Sequence, residues 1–224
     1  MAARIIQRKL LAVGDSSVGT TCLLFTYMKE FPSTYAPVWN SNNCVDIEVD
    51  DACVELSLFV RRASLCQEVD LAVFYNDANV VLMCFSVDNR NSLDSISSRW
   101  VPEVKKHSLN IPYLVVATKT DLRNNPTSIQ QLKDSEIAFV SSEEGRDVAE
   151  MVGACGYCEC SALEGVGMSE VFEAATREAL KYEANKTKTG KLKTALGQLK
   201  SAFHVKKKAD KAESAAGHSS GGQD

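Results

Sequence analysis

Apolar residues along this chain follow two spacings, and each spacing predicts a different kind of element. From Arg4 to Val13 a mostly apolar run (Ile5, Ile6, Leu10, Leu11, Val13) predicts a strand, and Thr20 to Glu30 carries Leu23, Leu24, Tyr27 and Met28 at helical intervals. Val45 to Val49 and Val54 to Leu58 alternate apolar and polar around Asp50-Asp51, which predicts a two-stranded hairpin. Val80 to Ser86 and Tyr113 to Ala117 are unbroken apolar runs, the pattern of strands buried on both faces. Helical periodicity near Ser92 to Lys106, Ser142 to Val152 and Met168 to Glu183 separates and follows them. Strands alternating with helices predict an α/β fold, a mostly parallel sheet with helices on both faces, whose ligand sits at the carboxyl ends of the strands. The loops after Val13, Leu58, Ala117 and Cys160 fall there.

The first of those loops carries the chemistry. Gly14-Asp15-Ser16-Ser17-Val18-Gly19-Thr20-Thr21, followed by Cys22, has two glycines five apart and a terminal hydroxyl residue between a strand and a helix. This is the frame of a phosphate-binding loop, in which backbone N–H groups cradle phosphates, a lysine reaches the outer ones and a final Ser or Thr ligates magnesium. Thr20 stands where the lysine is required. It offers one neutral hydrogen bond, worth about 1 kcal/mol, against roughly 1.5 to 3 for a charge-assisted one, so outer-phosphate affinity falls by about tenfold or more.

Charge adds an asymmetry that the total conceals. The chain has 224 residues and a formal charge of -4, but residues 1–185 sum to -10 and 186–224 to +6. One domain spanning 1–183, a basic amphipathic segment over 184–208 and a disordered tail over 209–224 are expected. Neither a membrane-span pattern nor an N-terminal signal pattern is present, which predicts a cytoplasmic protein. The eight cysteines include several inside apolar runs, as in Val81-Leu82-Met83-Cys84-Phe85, and read as reduced core thiols. Cys155, Cys158 and Cys160 lack a second Cys/His pair at metal spacing, so a structural role outweighs a metal or redox one.

Thr21-Cys-Leu-Leu24, Phe31-Pro-Ser-Thr-Tyr-Ala-Pro37, Asp46-Ile-Glu-Val-Asp50, Trp100-Val-Pro-Glu-Val104, Glu143-Glu-Gly-Arg-Asp147, Glu159-Cys-Ser-Ala-Leu163 and Val171-Phe-Glu-Ala-Ala-Thr-Arg177 follow one another along the chain. On these phrases, residues 4–182 closely resemble the Rho-type small GTPases of the Ras superfamily. Residues 124–140 resemble the helical insert of Rho proteins. The resemblance implies a P-loop NTPase (Ras-like) fold with a six-stranded sheet, a role in signalling around the cytoskeleton, and binding of GTP or GDP. Thr118-Lys119-Thr120-Asp121 is similar to the family's base-specificity loop, with Asp121 accepting the guanine N1 and amino protons and the Lys119 stem against the base. Ser161-Ala162-Leu163 is similar to the second guanine loop.

The phosphate and magnesium motifs depart from the family pattern. Val60-Arg61-Arg62-Ala63 replaces Asp-Thr-Ala-Gly, Ser64 stands at the water-positioning glutamine, and Val38, beside Trp39, replaces the threonine that ligates magnesium. Thr21 is left as the one candidate metal ligand, and a single hydroxyl holds Mg2+ poorly. Arg61 and Arg62 are expected to be solvated or to meet a partner's acidic surface; the alternative is that one swings into the phosphate site and supplies the missing charge. No catalytic residue is assigned. The expected function is a signalling or scaffold module with little or no hydrolysis, docking protein partners through 31–39 and 60–75; the alternative is a protein that holds guanine nucleotide weakly or constitutively.

The end of the chain has Leu192, Ala195, Leu196, Leu199, Ala202 and Phe203 at helical spacing among lysines. Residues 186–208 suit an anionic membrane, a calmodulin-like partner, the acidic core or solvent. The last cysteine is Cys160, so prenylation is not expected; peripheral membrane association is left to the basic segment, and no nucleic-acid partner is expected.

Overall fold

A computed structural model describes residues 5–29, 43–61, 71, 74–75, 77–108 and 110–188. The chain divides into two compact units, Met1–Tyr182 and Glu183–Asp224. In the first, β1 (Ile6–Gly14) leads through a loop into α1 (Thr20–Met28), and the hairpin β2 (Cys44–Val49) and β3 (Ala52–Val60) follows. Next come β4 (Val80–Ser86), helix α2 over residues 90–107, β5 (Tyr113–Thr118), a 3-10 turn (Thr120–Asn124), α3 (Pro126–Asp134), α4 (Ser142–Val152), β6 (Gly156–Glu159) and α5 over residues 168–182. The six strands form one sheet in the order β2-β3-β1-β4-β5-β6, parallel except for the β2–β3 pair.

The unbroken apolar runs are explained by the pleat. Val80, Leu82 and Cys84 point into one apolar cluster with Leu10, Ala12, Leu24 and Phe172, while Val81, Met83 and Phe85 point into the other with Leu11, Val13, Trp100 and Val104. Each face is covered by helices, so successive side chains are both buried. Asp50 and Asp51 close the hairpin with φ of 49° and 63°, the doubly left-handed turn that matches strand twist. Helix α4 starts on a capping box, Ser141 with Glu144, and ends on Gly153 in the left-handed region.

Helix α2 runs as Arg90–Ser95, widens into a π turn at Ile96–Trp100 and resumes as Val101–His107. Nothing in the 3.6-residue spacing predicts that widening. Of the seven cysteines described, Cys84 and Cys160 are buried but Cys44, Cys53 and Cys155 are exposed. The expectation of core thiols is corrected for those three: Cys44 and Cys53 lie on the outer side of the β2–β3 hairpin at the sheet edge.

In the second unit, residues 183–188 are helical; the amphipathic stretch from Leu192 to Phe203 and the tail 209–224 lie outside the described residues. Among the described residues, no helix is long and apolar enough to cross a membrane.

Candidate functional site

Three loops meet at the carboxyl ends of β1, β5 and β6. The first leaves β1 at Gly14, whose backbone pairs beside Cys84; a Cβ there would lie 2.6 Å from the Cys84 carbonyl oxygen. Only glycine lets the strand end so close to β4. Gly19 caps α1 with φ of 97°, a conformation costly to any other L-residue. Between them Val18 is buried and Ser16 and Ser17 are exposed. Asp15 accepts a hydrogen bond from the Trp100 indole N–H at 3.1 Å, and Arg99 lies 3.6 Å from the same oxygen. The π turn of α2 thus pins the first corner of the loop.

The second loop is tied to the first. The Thr118 hydroxyl lies within hydrogen-bonding reach of the Val18 and Phe85 carbonyl oxygens, with one proton to share between them. Lys119 turns the chain with φ of 58° and begins the 3-10 turn; its ammonium stands 3.8 Å from Asp88. It also lies near Cys22, where burial raises the thiol pKa and the lysine charge opposes the rise.

The third loop completes the group. Buried Ser161 donates its hydroxyl to Asp121 at 2.6 Å and accepts from the Glu164 N–H at 3.1 Å. One Asp121 oxygen is therefore held by the neighbouring loop. Ala162 packs on the apolar cluster and Leu163 is exposed. Behind these loops Arg123 makes a two-pronged pair with Glu159, 2.7 and 3.1 Å, and donates to the Val140 carbonyl at 2.9 and 3.2 Å. Burial would raise the Glu159 pKa, but bonds from Arg123 and from the Tyr157 hydroxyl outweigh it and hold the carboxyl at about 2. Arg123 and Glu159 were absent from the sequence-based site; the signal for them was the offset of each from its loop by two residues.

The end of β3 departs from expectation. The Val60 side chain is buried in the apolar cluster with Ala12 and Leu24. Arg61 is 6% exposed, its Nε 2.7 Å from Glu103 Oε1 and its guanidinium carbon 5.1 Å from the centre of the Trp100 ring. It is neither solvated nor turned into the phosphate loop. The reason is the pleat: Arg61 continues the ladder by donating its N–H to Ala12, so it points opposite to Val60, towards α2, where an acid and an indole receive it. Thr20 and Thr21 are half-buried in the first turn of α1. Val38, Trp39, Arg62, Ala63 and Ser64 lie outside the described residues.

Residues 9–181 match the Ras family. The chain is 44% identical over 176 residues to the GTP-binding protein RHO1 of Saccharomyces cerevisiae, covering 78% of this chain and 84% of that protein. It is 41% identical over 187 residues to the GTP-binding protein RHO1 of Candida albicans, covering 83% and 94%. The strand order, the three joined loops and these similarities agree: the chain belongs to the Ras family as a Rho-type small GTPase protein.

Proposed function

We propose that this protein is a Rho-type signalling or scaffold module that keeps the base-reading side of a guanine-nucleotide site, has lost its phosphate and magnesium side, and hydrolyses little or no GTP. The observation that carries the proposal is at the end of β3, where Val60 lies in the apolar core and Arg61 is drawn away to Glu103 and Trp100. A carboxylate supporting magnesium belongs at Val60, and an aliphatic side chain cannot supply one. With Thr21 as the remaining ligand, the residues present do not fit a resident magnesium ion. Phosphoryl transfer gains its rate from positioned charge, and Thr20 supplies none.

A second reading rests on Asp121 held by Ser161 and on the Thr118 tie to the phosphate loop. With the base pocket assembled, the protein binds GDP or GTP weakly and without magnesium. In either case partners dock through the surface 31–39 and 60–75, and the basic segment 186–208 serves an anionic membrane or a calmodulin-like protein from the cytoplasm.

Extraction of copurifying nucleotide, followed by titration of fluorescent GDP and GTP with and without Mg2+, tests both. The first reading expects no turnover and no magnesium dependence. Multiple-turnover GTP hydrolysis with tight magnesium-dependent binding sinks it.

A further inference from the structure

The phosphate loop lacks a cation of its own, so the cations around it matter. Arg61 and Lys119 are engaged by Glu103 and Asp88. Arg99 differs, because its partner Asp15 belongs to the loop itself. It comes from the π turn of α2 at Ile96–Trp100, a departure from helical regularity that is frequent at functional sites. Adjacent residues of an α-helix point about 100° apart. The wider turn narrows that step, and Trp100 and Arg99 both reach Asp15 Oδ1, the indole N–H at 3.1 Å and the guanidinium at 3.6 Å.

The two contacts differ in strength. Trp100 is fully buried and its N–H has Asp15 as acceptor, so that bond is fixed. Arg99 lies beyond hydrogen-bond distance of the same oxygen, and the Arg99 and Asp15 side chains are 46% and 24% exposed. An exposed ion pair of that kind contributes little, and a planar guanidinium binds phosphate better, through parallel charge-assisted hydrogen bonds. Stacking on the Trp100 ring, with the guanidinium carbon 4.6 Å from its centre, keeps the cation beside the loop. When Arg99 turns away, Asp15 keeps the indole N–H and is not left unpaired.

We propose that Arg99 is a phosphate-binding residue: it exchanges Asp15 for the terminal phosphate of a nucleoside di- or triphosphate and supplies, from α2, the positive charge that Thr20 does not. The inference rests on the second reading of the proposed function, magnesium-free binding of GDP or GTP, and names the cation for it. The base-side loops fit such a ligand, since Ser161 already orients Asp121. One cation brought from a neighbouring helix supports binding. It does not replace the magnesium and water-positioning groups that turnover needs.

Calorimetric titration of the full chain in EDTA tests it with guanosine, GDP and inorganic pyrophosphate as probes. Wild type binds GDP about tenfold or more tighter than guanosine. Arg99→Gln lowers affinity for GDP and pyrophosphate by roughly tenfold and leaves guanosine unchanged, as expected for loss of one charge-assisted contact. Arg99→Lys keeps the charge and loses less. Asp15→Asn, which leaves an acceptor for Trp100 but frees Arg99, raises GDP affinity, and does so by less in the Arg99→Gln background. GDP binding no tighter than guanosine overturns the assignment and leaves the base-side reading standing. An Arg99→Gln loss shared equally by guanosine, no loss at all, or a gain from Asp15→Asn undiminished without Arg99 also overturns it. Pyrophosphate binding that needs Arg99, with guanosine inert, supports the assignment while refuting the base-side reading, so the two failures are distinct. Absence of GDP, guanosine and pyrophosphate binding at millimolar concentration overturns both.

Discussion

Replacing Glu159 with glutamine gives a stability effect whose dependence on pH follows from the site. Glu159 accepts from Arg123 at 2.7 and 3.1 Å and from the Tyr157 hydroxyl at 2.6 Å, and its pKa falls from the usual 4.5 to about 2. At about 1.4 kcal/mol per pH unit that difference corresponds to roughly 3 kcal/mol. The pair keeps side-chain exposures of 26% and 23%, and screening by solvent lowers the figure to about 2 kcal/mol. Because the folded pKa is depressed, the contribution is present in full above the unfolded pKa and is lost as pH falls from there to about 2. Glutamine keeps the shape and has no charge to lose. Urea titrations of both proteins across that window should show wild type losing about 2 kcal/mol more stability than Glu159→Gln, with other groups cancelling in the difference. Stability curves that run parallel from neutral pH to the acid limit would refute the account of the Arg123 and Glu159 pair.

Gly14→Ala brings a methyl group against the Cys84 carbonyl, 2.6 Å from the ideal Cβ position, and should destabilise the protein by about 1 to 3 kcal/mol in urea titration. Thr20→Lys alone should raise affinity for fluorescent GDP by less than about tenfold and leave it insensitive to EDTA, because Val60 still offers magnesium no carboxylate. Asp121→Ala removes the acceptor that Ser161 orients; whatever GDP affinity the wild type shows should fall by roughly tenfold or more, with fold stability by circular dichroism little changed.

The sheet was legible because burial on both faces leaves a direct mark in sequence. Val80–Ser86 has the bounds its apolar run predicts, and Ser142–Val152 begins where Ser141 and Glu144 form their capping box. Asp50-Asp51 marked the hairpin turn through the tolerance of aspartate for positive φ. The meeting of the loops after β5 and β6 was legible, because Thr118, Lys119, Asp121 and Ser161 lie in short motifs beside strand ends. Arg123 and Glu159 were less visible, since each gains meaning only from the other, across two elements distant in sequence. The π turn in α2 leaves no periodic trace, yet Arg99 and Trp100, which meet Asp15, are its last two residues.

Arg61 shows why composition alone misleads at such a position. Arginines are mostly exposed, and two in succession after a strand invite the inference of a solvated loop or of a replacement for the missing lysine. Alternation along β3 decides otherwise. With Val60 committed to the α1 side, the next residue points to α2, and the same pleat that buries an aliphatic group in place of a carboxylate delivers a cation to Glu103. The charge gained at Arg61 therefore does not compensate the charge lost at Thr20, because it is already paired on the other side of the sheet. That separation makes the two departures from the family pattern additive: one removes the cation from the phosphate loop, and the other binds the end of β3 to α2. On the proposed reading, a nucleotide entering the site meets the loops that carry Thr118, Asp121 and Ser161 while Arg61 stays engaged with Glu103.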